Sequence, residues 1–425
     1  MRKRKTAAVA VVMAGALALV ACSSRASTST AAAAAPTVNN TASSGAPIKL
    51  GLLTSMTGVS SSSFNTVYQG VEARIGLQNA EGGVDGHKLT YVVADDTSSG
   101  PGAVAAAQQL IEQDHVYGIM DASAFFSAAA ETTTQAGIPV TGVSIDAGPE
   151  WSNKSETNIF DAYGYGNFSL VSTTYPQFFK MKGATKVAAI GYGDSPSSAM
   201  NAEAVAAGSQ KEGLQAFYDN SLPFGSTDVG PLVQKIKAEG ANAIYLSTVQ
   251  STGYAMAEAL KQAGVKYKAL VLATGYGQDV ISDAATRDAA TGIDFANIFA
   301  PIEANTAATQ KFEAAMQKYA GVSGIPSWGA YVGWLTTDLM IYGLEQAGPE
   351  ASSQQFITKL RASTWNGAGL ETPTDFSDIK PTPGGQDQGR CLYFIGFNGS
   401  TFVPEQGASP LCGSIINGVT ISMPS

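Results

Sequence analysis

Residues 48–58, Ile-Lys-Leu-Gly-Leu-Leu-Thr-Ser-Met-Thr-Gly, and residues 88–96, Lys-Leu-Thr-Tyr-Val-Val-Ala-Asp-Asp, enclose a segment whose apolar period changes from strand to helix and back. The run 48–55 is apolar enough for a buried strand. Ser60–Ser63 form a polar loop. From 66 to 80, Val67, Val71 and Ile75 recur on one helical face, and Gly82 and Gly83 suit the C-cap that ends it. Residues 88–96 form the next strand. Strand, helix, strand in this order is the unit of a parallel sheet with crossover helices.

The same rhythm extends outward. A helix is expected at 102–113, with Val104, Ala107 and Ile111 on one face, then a strand at 116–121, a helix at 127–136 and a strand at 138–144. It restarts with strands at 186–193, 214–222, 242–249 and 269–275, separated by helices at 198–212, 229–239 and 252–263. The fold class is therefore α/β, with two doubly wound parallel sheets and no obvious sequence repeat between them. Residues 327–348 read as one long helix, and 390–405 as a hairpin turned at Asn398-Gly399.

The N-terminus reads as an export signal. Arg2, Lys3, Arg4 and Lys5 precede an apolar run from Ala7 to Val20 that is too short for a stable membrane span. Leu19-Val20-Ala21-Cys22 resembles the bacterial lipobox, which implies cleavage after residue 21 and lipid on Cys22. An ordinary secretory signal with a chance cysteine is the alternative. Residues 22–46 are mostly Ser, Thr and Ala and read as a flexible tether, with a reach of roughly 25–30 Å. With four basic and no acidic residues in 1–21, the remainder holds 21 basic against 34 acidic residues, a net −13. That balance argues against nucleic acid or an anionic surface as partner. In an exported chain Cys391 and Cys412 are expected to pair and staple the C-terminal hairpin, the alternative being two buried thiols.

Doubly wound sheets bind ligands at the carboxyl ends of their strands, where helix N-termini converge. This singles out the loops 55–66, 121–127, 144–151 and 191–199. In the second, Ser123 is open to two readings: a helix cap, or a hydroxyl and N–H offered to an anionic ligand. Phe125 and Phe126 are equally open between core and ligand cover. Gly-Asp-Ser-Pro at 193–196 resembles the start of a serine esterase block, but His87 and His115, both upstream, are the only histidines, so Ser195 has no downstream base. There is no P-loop, no clustered metal ligands and no dinucleotide fingerprint, so no cofactor is expected and the chain is not read as an enzyme. Tyr163-Gly164-Tyr165-Gly166 reads as a flexible crossover.

The blocks 48–58 and 70–96 together resemble the start of the branched-chain amino-acid type of periplasmic binding protein, the type I solute-binding subunits of ABC importers. The similarity continues through "AAAQQLIEQDHVYGI", "QAGIPVTG", "KVAAIGYGDS", "VQKIKAEGANAIYLST" and "AMAEALKQAGVK", covering about 47–275. It implies two flavodoxin-like lobes closing on a ligand. Lobe 1 would hold 47–164 and 300–375, and lobe 2 would hold 165–299 and 376–425. The three crossovers would lie near Tyr163–Tyr165, near Ile298–Glu303 and within 376–390.

The family's carboxylate-holding serine falls on Ser123, followed by Ala124, Phe125 and Phe126. Its ammonium-binding threonine is missing from 143–150, where Ile145, Asp146 and Ala147 stand. The first-loop aromatic becomes Ser63 beside Phe64. In lobe 2, Tyr192 and Ser197 flank the Asp-Ser pair, and Gln250 stands beside Val249 where a pocket tyrosine is usual. No carboxylate occurs near Tyr276, where the family has one, and a helix aromatic falls on Tyr331. The scaffold matches while the amino-acid clamp is eroded. Asp146 is then the one candidate to pair with an ammonium; otherwise Phe64, Phe125, Phe126, Tyr276 and Tyr331 suit a flat or apolar solute with one carboxylate or amide. The expected function is capture of an amino-acid-like or small organic acid or amide solute by a monomeric, lipid-anchored extracytoplasmic protein that delivers it to importer permeases. A sensor for a membrane signalling partner is the alternative, and a serine hydrolase a remote one.

Overall fold

The computed structural model describes residues 45–151, 157–163, 168–377, 391–407 and 409–422. In lobe 1, strands β1 (Ile48–Thr54), β2 (Leu89–Asp95), β3 (Ile119–Ala122), β4 (Val140–Gly142) and β5 (Ile159–Asp161) form a parallel sheet in the order β2-β1-β3-β4-β5. Helices α1 (Ser61–Phe64), α2 (Val67–Ala80), α3 (Gly100–Gln108) and α4 (Ala130–Ala136) connect them.

Lobe 2 opens with β6 (Leu170–Ser172) and α5 (Thr174–Met181). Then β7 (Lys186–Tyr192), α6 (Pro196–Lys211), β8 (Gln215–Leu222), α7 (Gly230–Glu239) and β9 (Ala243–Leu246) follow. The alternation ends with α8 (Gln250–Gln262), β10 (Ala269–Leu272), α9 (Gln278–Ser282), α10 (Ala284–Ala290) and β11 (Asp294–Asn297). Its parallel strands stand in the order β8-β7-β9-β10-β11, which repeats the first sheet position for position. Both are the flavodoxin-like order.

The chain then returns to the first sheet. Helices α11 (Ala307–Tyr319), α12 (Trp328–Ala347) and α13 (Ser353–Arg361) precede the small pair β12 (Thr364–Trp365) and β13 (Thr374–Asp375). α12 packs on α2, β3 and β4. Finally β14 (Cys391–Phe397), β15 (Phe402–Pro404), β16 (Leu411–Cys412) and β17 (Ile415–Thr420) join lobe 2. β14 pairs antiparallel with β11, β15 and β16, while β17 pairs with β6. The hairpin turn holds as expected: Gly399 has φ 95°, and the Asn398 Oδ1 accepts the N–H groups of Ser400 and Thr401. A disulfide joins Cys391 to Cys412, directly opposite each other on β14 and β16. Cys22, residues 1–44, Tyr165 and 378–390 lie outside the described residues. The tether's last two residues do not: the Gly45 N–H donates to His87 Nε2, whose Nδ1 then donates to the Ala46 carbonyl.

Local expectations fail where tertiary bonds compete with the ladder. The polar loop at 60–63 carries a helical turn instead. The helix expected at 102–113 is α-helical to Gln108 and widens to a π turn over Gln109–Gln113. The helix expected from 127 begins at Ala130 after a tighter turn, because the Asp146 carboxylate takes the Ser127 N–H. The strand expected at 138–144 shrinks to Val140–Gly142, since the Ser144 N–H turns to Asp161.

The tightest packing is between α2 and α12. A Cβ on Gly70 would run into the Ala330 carbonyl oxygen, and one on Gly333 into that of Val67. Beside this contact, Arg74 Nε donates to Asp338 at 2.7 Å. Gly333→Ala is therefore expected to destabilise the protein by about 1–3 kcal/mol or more, since neither backbone can give way without separating the helices. Urea denaturation at unchanged m-value checks it.

Candidate ligand-binding cleft

The carboxyl ends of both sheets face one cavity of about 240 Å³. Lobe 1 contributes Phe64 from α1, Ala124 after β3, Ile145 after β4 and Trp328 at the start of α12. Lobe 2 contributes Tyr192 at the end of β7, Ser197 on α6 and Thr248 and Val249 before α8. Phe64 is held edge-on by Trp328, with centroids 5.6 Å apart. The Tyr192 hydroxyl donates to Thr252 Oγ1 at 2.6 Å and accepts the Val249 N–H at 3.2 Å, which fixes the N-terminus of α8 against the strand end. Among the described residues no side chain on this wall is charged. Thr248 and Tyr163 also line it, though their hydroxyl oxygens are buried.

The expected site residues divide into three groups. Phe64, Ala124, Ile145, Tyr192 and Ser197 line the cavity. Ser63, Gln250 and Phe125 close it instead: Ser63 Oγ accepts the Gln250 N–H across the lobes at 3.2 Å, and Phe125 meets Phe224 of lobe 2 edge-on at 5.5 Å. The remainder lie off the wall. Ser123 is fully buried; its hydroxyl donates to Asp96 and accepts the Phe125 N–H at 3.0 Å. Phe126 is core, packed on Trp151. Asp146 accepts from the Ser127 N–H and the Trp151 Nε1–H, each at 2.7 Å, so its carboxylate is spent on the loop and does not reach a ligand ammonium. Ala147 lies beside it in the left-handed region, with φ 58°. Tyr276 and Tyr331 belong to an aromatic cluster behind the cleft: the Tyr276 hydroxyl donates to Glu303 at 2.5 Å, and Tyr331 stacks on Phe299 at 4.1 Å.

Several wall residues escaped the sequence reading. Thr248 directly follows a strand and was within reach of the strand-end rule. Phe168, Leu170 and Ile415 were not, because the ribbon that carries them pairs β6 with the last strand of the chain. Ser195, the esterase-like serine, has Ser197 Oγ 3.4 Å away, while His87 is bonded to Gly45 and Ala46.

A sequence profile described as "Periplasmic binding protein" matches residues 47–399. The chain belongs to that family. Leu/Ile/Val-binding protein homolog 7 of Brucella suis biovar 1 (strain 1330) is 28% identical over 292 residues, covering 65% of this chain and 72% of the relative. A solute-binding protein of an ABC transporter from R. palustris, solved in complex with benzoate, superposes with TM-score 0.67 at 17% identity, covering 89% of this chain and 100% of that one. A fatty acid ABC transporter substrate-binding protein from Thermomonospora curvata gives TM-score 0.67 at 20% identity, covering 84% and 92%. The fold is that of a type I periplasmic binding protein. The chain is an extracytoplasmic solute-binding protein of this family, and its homologues are solute-binding proteins. No helix among the described residues is long and apolar enough to cross a membrane.

Charge lies behind the cleft of this binding protein, not in it. Burial pushes the Asp96 carboxyl up, while the hydroxyls of Ser123 and Ser55 and the Ser98 N–H pull it down. Burial, with Asp146 nearby, holds Asp121 well above 3.8. Among the described residues no acidic or histidine cluster could hold a metal ion. Two expectations follow. Ser123→Ala should cost about 1–3 kcal/mol of stability, because it leaves the buried Asp96 short of a donor; chemical denaturation measures this. Asp121 keeps its proton in the folded state above the pH at which the unfolded chain loses it. Its contribution to stability is full below 3.8 and is lost as pH rises through the folded value. Asp121→Asn should therefore gain on the wild type in melting temperature as pH is raised from about 5 to 8.

Proposed function

We propose that the protein captures a small carboxylate with an apolar body, aromatic or aliphatic, and delivers it to the permease subunits of an ABC importer. It does so while anchored to the cell membrane by lipid on Cys22 and the tether that follows it, and as a monomer. The observation that carries the ligand class is the wall itself, which has hydroxyls and no charged side chain. An ammonium buried there would lack a counter-charge and stay desolvated at a cost of several kcal/mol. A carboxylate is better served. The N-termini of α6 and α8 both end on the cavity, with Ser195, Ser197 and Thr248 beside them. At α8 the Val249 and Gln250 N–H groups are already taken by Tyr192 and Ser63, so α6, past Pro196, is the end that offers a carboxylate its N–H groups. Helix N-termini carry free N–H groups and partial positive charge. The benzoate bound by the R. palustris protein and the name of the T. curvata protein are consistent with such a ligand in this fold.

Calorimetric titration with benzoate, octanoate and leucine tests the reading. The two carboxylates are expected to bind, and leucine at least about tenfold more weakly. Tighter binding of leucine would refute it. Thr248→Val should weaken carboxylate binding by roughly ten- to a hundredfold, the value of a hydrogen bond to a charged group, with little change in melting temperature.

A further inference from the structure

The cavity does not stop at the interlobe cleft. Its inner part runs into lobe 2 between α5, α6 and the sheet, where Tyr175, Ala204, Val205, Tyr245 and Leu392 line it and Ile415 of the β6–β17 ribbon covers it. Four of these (Tyr175, Val205, Tyr245 and Leu392) belong to the apolar layer that elsewhere closes lobe 2. We infer that the apolar part of the ligand enters lobe 2 beneath this ribbon, and that lobe 2 selects straight-chain carboxylates of medium length. The inference rests on the carboxylate reading above and adds to it the route and length of the tail.

Polarity along the cavity sets the direction. The end at the cleft holds Ser195, Ser197 and Thr248 beside two helix N-termini. Asn201 lies further along α6. At the inner end the polar groups are already engaged: Ser172 Oγ donates to Thr174 Oγ1 at 3.3 Å, and Tyr175 and Tyr245 pair with each other. A carboxylate is satisfied at the first end and an alkyl chain at the second. In the cover β6 and β17 register at Ile415–Ser172 and Thr420–Leu170 with an irregularity between them, and the ribbon is tied at its ends by the Thr173 N–H to Ser414 at 2.9 Å and the Ile421 N–H to Ser169 at 2.8 Å. At roughly 30 Å³ per water-sized group, the cavity takes about eight such groups.

Titration of the intact protein with butanoate, hexanoate, octanoate and decanoate tests the route. Affinity is expected to rise about fourfold per added CH₂ up to octanoate, then to level or fall. Ala204→Leu, which fills the inner part from α6, should lower the ratio of octanoate to butanoate affinity at least about tenfold. Carboxylate binding that is indifferent to chain length, or an unchanged ratio in folded Ala204→Leu protein, would overturn the tail route and leave the carboxylate reading standing. If no carboxylate binds, benzoate included, the carboxylate reading fails and the route with it. Should the variant not fold, the wild-type series decides alone.

Discussion

The crossing of α2 and α12 holds the cleft side of lobe 1 in place. At Gly70 and Gly333 the two helices touch backbone to backbone, and their N-caps are linked by the Ser327 hydroxyl donating to Thr66 at 2.7 Å. This brings Phe64, just before α2, against Trp328, the first residue of α12. The same end of α12 receives lobe 2: the Trp328 N–H donates to the Tyr276 carbonyl at 2.7 Å, and the Gln278 N–H donates to Ile325 at 2.9 Å. One close helix crossing, with Gly70 against Ala330 and Gly333 against Val67, thus sets a cavity wall and a seam between the lobes. Close packing gives such a contact little tolerance, since interiors respond even to one added methylene.

The electrostatic layout follows from where the loops find their partners. Strand-end loops need their N–H groups satisfied, and in lobe 1 buried carboxylates do this from behind. Asp96 serves Ser98, Asp146 serves Ser127 and Gly148, and Asp161 serves Ser144 and Tyr163. Negative charge is therefore consumed in the scaffold and kept out of the cavity. What remains in front, among the described residues, is a neutral surface of rings and hydroxyls.

Much of the fold was legible in local pattern. The strand–helix alternation, the long helix near 327–348 and the Asn-Gly turn all depend on neighbours within a few residues, and they fall within a few positions of expectation. The rule that doubly wound sheets bind at their carboxyl ends pointed to the loops beside which the cavity lies. The individual contacts were less legible. Ser123 matches the family's carboxylate-binding serine, yet it spends its hydroxyl on Asp96, a residue nothing in its own segment predicts. Ser63 and Gln250, read as two separate ligand contacts, bond to one another.

By itself the sequence determined the class of fold and the alternation of its elements, because each is written in composition or short-range periodicity. Tertiary structure alone decided which hydroxyls remain free, which carboxylates are spent, and that the cavity continues into lobe 2 under a ribbon joining β6 to the last strand. The reason is physical. A side chain's direction and its hydrogen-bond partner are settled by competition among groups brought together from distant parts of the chain, and no local pattern records the outcome of that competition.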